Sequence, residues 1–163
     1  MGLLKGIHTL LTADLLHILR SMGHGDEILV CDCNFPAASI SKETISQKHI
    51  VLTCTLPEAL NAICSVLPLD YFQNTQCVYM APEQGVELPS DGIAVLEQCT
   101  ASILEHSNPK LEAVDRFQFY KYAKKVYAIV QTMERRPYAN FVLKKGCIGP
   151  DGKDLLPSPI IKF

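Results

Sequence analysis

Met22-Gly23-His24-Gly25-Asp26-Glu27-Ile28-Leu29-Val30-Cys31 closes one regular element and opens another. Upstream, Leu15, Leu16, Ile18, Leu19 and Met22 follow helical spacing over residues 12–22, with Thr12 as a candidate cap and Asp14 in the first turn. Gly23 and Gly25 are predicted to end that helix. Downstream, the run Ile28, Leu29, Val30 predicts a buried strand over 27–31. It halts at Asn34-Phe35-Pro36, where proline blocks further regular pairing. His24 therefore lies in a glycine-flanked turn before the strand, and Asp32 near the strand's far end. Those two residues need not meet within one subunit.

The alternation continues along the chain. Residues 50–53 predict a strand, followed by a helix with Thr55 near its cap, Pro57 in its first turn and Leu60, Ile63, Cys64 and Leu67 on its inner face. A third strand is predicted over 77–80, then a helix over 91–105 burying Val95, Leu96, Cys99, Ile103 and Leu104. After a turn at Asn108-Pro109, a short strand over 111–114 and a helix over 117–125 are expected. Strands over 126–130 and 141–143 follow, joined through Glu134-Arg135-Arg136-Pro137. Strands interleaved with helices define an α/β class. The tail beyond Gly146 carries Gly149-Pro150-Asp151-Gly152 and is expected to pack on the surface or stay mobile.

A chain of 163 residues suits a single domain over 1–163. Its net charge of −2, with 20% charged and 48% hydrophobic residues, is that of a globular chain without the basic footprint of nucleic-acid binding. An uncharged small ligand fits such a surface better than a polyanion. Met1-Gly2-Leu3-Leu4-Lys5-Gly6 carries no visible signal peptide, and Gly6 weakens a myristoylation reading of Gly2. No stretch approaches the ~20 apolar residues that span a bilayer. A cytoplasmic protein with no membrane partner is expected.

The seven cysteines are odd in number and mostly set in apolar runs, which predicts reduced, buried and inert thiols. In Cys31-Asp32-Cys33, strand alternation would turn both thiols to one face and Asp32 to the other. No CxxC or second paired cluster completes a zinc set, so no metal and no cofactor are expected.

Three local signatures carry a resemblance. The first is Met22-Gly23-His24-Gly25-Asp26-Glu27 with Asp32, Asn34, Phe35 and Pro36. The second is Arg116-Phe117-Gln118-Phe119-Tyr120 with Ala123-Lys124-Lys125. The third is Tyr138-Ala139-Asn140, then Leu143-Lys144-Lys145-Gly146. In this order they resemble the fucose mutarotase branch of the family that also contains D-ribose pyranase. The resemblance covers residues 4–147; it is weakest over about 74–110, and 148–163 extend beyond it. It implies a three-layer α/β/α arrangement with a mixed sheet. It also implies ring-shaped homo-oligomers, commonly decamers, with active sites at subunit contacts.

Mutarotation opens a cyclic hemiacetal and recloses it on the other face of the aldehyde. A proton must reach the ring oxygen and another must leave the anomeric hydroxyl, so general acid–base groups suffice. Histidine suits this because its unperturbed pKa of ~6.5 makes both protonation states accessible near neutrality. The resemblance implies that His24 is the proton donor; an ordinary turn histidine bonding to backbone is the alternative. It also implies a catalytic Tyr120, whose phenol otherwise reads as a core tyrosine. Asp32 would accept hydroxyl hydrogen bonds, or else cap its loop at Asn34 or Phe35. Tyr138 and Asn140 would orient hydroxyls, or else form an ordinary turn before a strand. Asp70 matches a sugar-contacting position, or else ends a helix. Arg116 is a further candidate for a sugar contact, although pairing with Asp115 or Glu112 explains it equally well. Lys144 and Lys145 read as a solvated strand end or interface rather than site residues, and His8, His17, His49 and His106 as structural.

The leading expectation is an isomerase interconverting the α and β anomers of L-fucose. A ribose pyranase activity is the alternative within the same chemistry. A monosaccharide-binding protein without turnover is the alternative outside it, disfavoured because His24 and Tyr120 accompany the hydroxyl-binding set.

Overall fold

Thr12 caps the first helix as expected: its Oγ1 accepts from Leu15 N at 3.2 Å, and α1 runs Ala13–Ser21 with Leu15, Ile18 and Leu19 buried. The structure, a computed structural model, describes residues 2–157. After α1 come β1 (Glu27–Cys31), α2 (Ala37–Ile40), β2 (Lys48–Val51), α3 (Leu56–Cys64), β3 (Cys77–Ala81) and α4 (Ser90–Leu104). Then follow β4 (Leu111–Asp115), α5 (Arg116–Ala123), β5 (Ala128–Gln131) and β6 (Asn140–Lys144).

The strands form one mixed sheet ordered β2-β5-β1-β6-β3-β4. Only β6 runs antiparallel to its neighbours β1 and β3; the other pairings are parallel. Successive side chains point to opposite faces. Ile28 and Val30 thus enter the core beneath α1, α3 and α4, while Leu29 and Cys31 enter the one beneath α2 and α5. The sheet therefore lies between two helical layers, and β1 at its centre is buried on both faces because helices cover both. The two ends of β1 position the two groups of candidate site residues.

Several boundaries move. The first helix does not end on a glycine cap: Met22 caps it in extended backbone, with a lysine side chain covering its carbonyls, and the left-handed residue is Gly25 at φ 85°. The strand predicted at 50–53 is Lys48–Val51, because β2 is a sheet edge whose exposed or half-exposed residues lack an apolar signature. α2 and the 3-10 turn Ser41–Glu43 were not predicted; each is too short to show helical periodicity. On α4, Leu96 is half-buried and Leu104 is 50% exposed, since both sit a step round the helix from the buried Val95 and Ile103. β1 stops at Cys31, so Cys33 has left the strand, and its N–H goes to Glu134 O at 2.8 Å. The two thiols therefore do not share a strand face.

All seven cysteines are free, and no group of three metal-ligating side chains occurs among the described residues. No described helix is long and apolar enough to cross a membrane. Residues 148–157 fold back on the surface through an Ile148↔Asp154 bridge and a bond from Leu155 N to Cys147 O. The rest of the tail, 158–163, lies outside the described residues.

Candidate active site

Where β1 ends, the chain must turn, and Asp32 makes the turn. Its Oδ1 accepts from Asn34 N and Phe35 N, both at 2.9 Å, so the loop-capping contact is present. Its Oδ2 accepts from Asn140 Nδ2 at 2.9 Å, and Asn140 Oδ1 accepts in return from Asp32 N at 3.3 Å. The register that puts Cys31 opposite Asn140 places this pair side by side. Asp32 is 4% exposed and Asn140 2%. Burial raises the Asp32 carboxyl pKa above its ordinary value, against the hydrogen bonds from Asn140, Asn34 and Phe35. Three of roughly four acceptor positions on the carboxylate are used, leaving one for a ligand hydroxyl.

This pair lines a cavity of about 240 Å³ together with Arg116, Tyr120 and Tyr138. Asp115 caps α5, its Oδ1 accepting from Phe117 N and Gln118 N, which fixes the helix that carries Tyr120. The Tyr120 ring lies 5.5 Å from that of Phe35, and its phenol oxygen has no hydrogen-bond partner among the described residues. Arg116 pairs with neither Asp115 nor Glu112. Its Nε and Nη2 bond Glu83 Oε1 at 2.9 and 2.8 Å, because Asp115 is occupied with its own helix.

Tyr138 has φ 61°, a left-handed conformation that costs a non-glycine residue of order 1–3 kcal/mol. The loop before it supplies the constraint. Glu134 Oε1 accepts from the backbone N of Arg135 and Arg136 and from Arg136 Nε at 2.8 Å, while Oε2 accepts from Arg136 Nη2 at 2.7 Å. The Arg136 guanidinium holds the Glu134 carboxyl down at about 2. Because the folded carboxyl ionises below its ordinary 4.5, the stabilisation is complete above about pH 4.5 and is lost as pH falls toward 2. Glu134→Gln is expected to cost about 2–3 kcal/mol at pH 7. Denaturant unfolding of parent and variant at pH 7 and pH 3 checks this: the gap should narrow at the lower pH.

The other cluster sits at the opposite end of β1. Gly23 N donates to Asp26 Oδ2 at 2.7 Å and Asp26 N to Gly23 O at 3.2 Å, making the turn that presents His24. His24 Nε2 lies 3.0 Å from Asp70 Oδ1. A carboxylate only accepts, so Nε2 carries the proton and Nδ1 is the nitrogen free for other chemistry. Asp70 is wholly buried; its Oδ1 also accepts from Phe72 N at 3.1 Å, and its Oδ2 has no partner among the described residues. The His24 side chain is 47% exposed, with the Phe72 ring edge-on at 6.0 Å.

The predicted residues therefore fall into two groups. Asp32, Arg116, Tyr120, Tyr138 and Asn140 share one cavity; His24 and Asp70 form a dyad elsewhere. The rise of β1 alone, about 13 Å over its length, separates them. Reading the sequence missed Phe72 beside His24, Met80 at the cavity and Glu83 paired with Arg116. None stands in a motif, and only the fold brings them there.

A family model described as the RbsD / FucU transport protein family matches residues 5–148. A fucose mutarotase of Danio rerio is 35% identical over 159 residues, covering 93% of this chain and 98% of the relative. An L-fucose mutarotase of Actinobacillus pleuropneumoniae is 38% identical over 148 residues, covering 88% and 96%. The crystal structure of a Streptococcus pneumoniae fucose mutarotase in complex with L-fucose superposes with a TM-score of 0.79 at 34% identity, covering 90% of this chain and 100% of that one. By the extent of these matches and by its fold, the chain belongs to the RbsD / FucU family.

Proposed function

We propose that this protein is an isomerase that interconverts the α and β anomers of L-fucose by acid–base-assisted opening and closing of the sugar ring. The observation that carries the reading is the Tyr120 phenol, without a partner among the described residues, in a small cavity whose polar lining includes the Asp32–Asn140 pair. L-fucose in the Streptococcus pneumoniae relative supports the choice of sugar. His24, as the imidazolium with its Nε2–H on Asp70, gives its Nδ1 proton to the ring oxygen, while the anomeric hydroxyl gives its proton to the Tyr120 oxygen and the phenolic proton passes on to solvent. The bond between anomeric carbon and ring oxygen breaks and an aldehyde forms. Rotation about the next carbon–carbon bond turns the aldehyde, and the reverse transfers close the ring on its other face. Asp32, Asn140, Tyr138 and Arg116 bind hydroxyls, and Asp70 serves the site through His24.

His24 of one copy completes the cavity of another, within a ring-shaped homo-oligomer, a decamer. The separation of the two groups along β1 supports this sharing. The test is magnetisation exchange between α- and β-L-fucose by NMR. Catalytic amounts of the parent should speed the exchange, and His24→Ala and Tyr120→Phe should each lose roughly 10²–10⁴-fold while still binding fucose. An exchange rate unmoved by the parent, in a tube where a known mutarotase accelerates it, overturns the reading. The same measurement with ribose ranks the pyranase alternative.

A further inference from the structure

The end of β6 and the two residues after it hold both loops of the dyad at once. Gly25 N donates to Lys145 O and Lys145 N to Asp26 O, each at 2.8 Å, on the His24 side. Asp70 N donates to Lys144 O at 3.1 Å and Gly146 N to Pro68 O at 2.8 Å on the other. A Cβ on Gly146 would lie 2.2 Å from Leu69 O and 2.9 Å from Asp70 Cα, so only glycine permits this approach. The Lys145 side chain, far from being a solvated strand end, turns back under α1. Its Nζ donates to Leu19 O at 2.6 Å and to Met22 O at 2.5 Å. Those carbonyls end the helix immediately before Gly23-His24-Gly25, where they have no intrahelical partner and where a cation suits the helix dipole.

We propose that Lys145 is a positioning residue for His24, tying the end of α1 to β6 so that the imidazole stays seated on Asp70. The proposal rests on the reading of His24 as an acid–base group. Among the described residues, the backbone bonds of Gly25 and Asp26 to Lys145 and the Gly23–Asp26 turn fix the path of this loop, and the buried Leu19 and Met22 side chains pack the helix end into the core. The Nζ bonds add a polar tie at the last helical carbonyls, directly before His24. Arg20 and Asp26 are the charged groups acting on Nζ. Burial, then Arg20, draws the ammonium pKa below its ordinary value, and Asp26 opposes them.

The test is Lys145→Met in the full-length assembled protein, which keeps the apolar stem and removes the donor. Displacements near 1 Å cost up to about 10²-fold, so kcat for fucose exchange should fall roughly ten- to a hundredfold with KM within about twofold. The circular dichroism and assembly size should match the parent at the assay temperature. The ring ¹⁵N spectrum of His24, assigned by its loss in His24→Ala, should shift away from the Nε2–H form. A kcat loss that only tracks the unfolded fraction, or a parent-like His24 spectrum, overturns the proposal. Lys145→Gln, whose shorter, uncharged amide keeps N–H donors but reaches less far, covers a Lys145→Met protein that fails to fold: it must show the same spectral change in smaller measure, and a parent-like spectrum again overturns the idea. If the parent itself does not accelerate fucose exchange, the functional reading fails, while the His24 spectra still decide whether Lys145 seats the dyad.

Discussion

Mixed assemblies of His24→Ala and Tyr120→Phe protein, each nearly silent alone, are expected to recover about a quarter of the parent exchange rate. The reason is geometric. His24 precedes β1 and Asp32 follows it, and Tyr120 shares the cavity of Asp32. About 13 Å of strand therefore stands between the two ends of β1 that position the proposed acid–base groups of one chain, a longer span than one monosaccharide bridges. A site drawing His24 from one copy and Tyr120 from another has about one chance in four of receiving both intact residues from a random equal mixture. A site contained in one chain would always carry one lesion, and mixing would restore nothing. Co-expression followed by NMR exchange measurement reads the result, with native mass spectrometry establishing that mixed assemblies formed. Mixed assemblies that stay silent would remove the shared site.

The fold was legible where local chemistry and tertiary burial agree. Thr12 ahead of Leu15, Ile18 and Leu19 announces α1, and the unbroken apolar run of β1 announces a strand buried on both faces. Where they diverge, sequence reading fails. β2 is an edge whose residues are all exposed or half-exposed, so its true start at Lys48 carries no apolar mark. The end of α1 was assigned to glycine, but it is satisfied by Lys145, a residue 123 positions away from Met22. No local pattern encodes a cap delivered from so far along the chain.

The candidate site was legible as a set of residues but not as an arrangement. Asp32 and Asn140 both stood out in their motifs, yet their mutual hydrogen bonds depend on the pairing of β1 with β6. Arg116 stood out as well, while its partner Glu83 sits in a loop that no motif marks. Asp70 was read as a sugar contact through resemblance. Only the fold reveals that its carboxyl is wholly buried and bonded to His24.

That burial makes Asp70→Asn a decisive variant. The amide can keep its oxygen on His24 Nε2 and Phe72 N, but it then buries an NH₂ group where Oδ2 has no partner among the described residues. Turned round, the NH₂ meets two donors and drives His24 toward the other tautomer. In either orientation, the imidazolium that forms when His24 takes up a proton loses its counter-charge. In a serine-protease triad the corresponding carboxylate-to-amide change costs about 10⁴-fold through the wrong tautomer. Here the ceiling is the contribution of His24 itself, roughly 10²–10⁴-fold. The expected result is a fall in kcat of roughly 10²–10³-fold with KM nearly unchanged, because Asp70 has no exposed surface with which to touch a sugar. A direct sugar contact makes the opposite forecast: KM would rise while kcat held. Steady-state exchange kinetics on the folded, assembled variant separate the two, and a change confined to KM would return Asp70 to the sugar and leave His24 without an orienting partner.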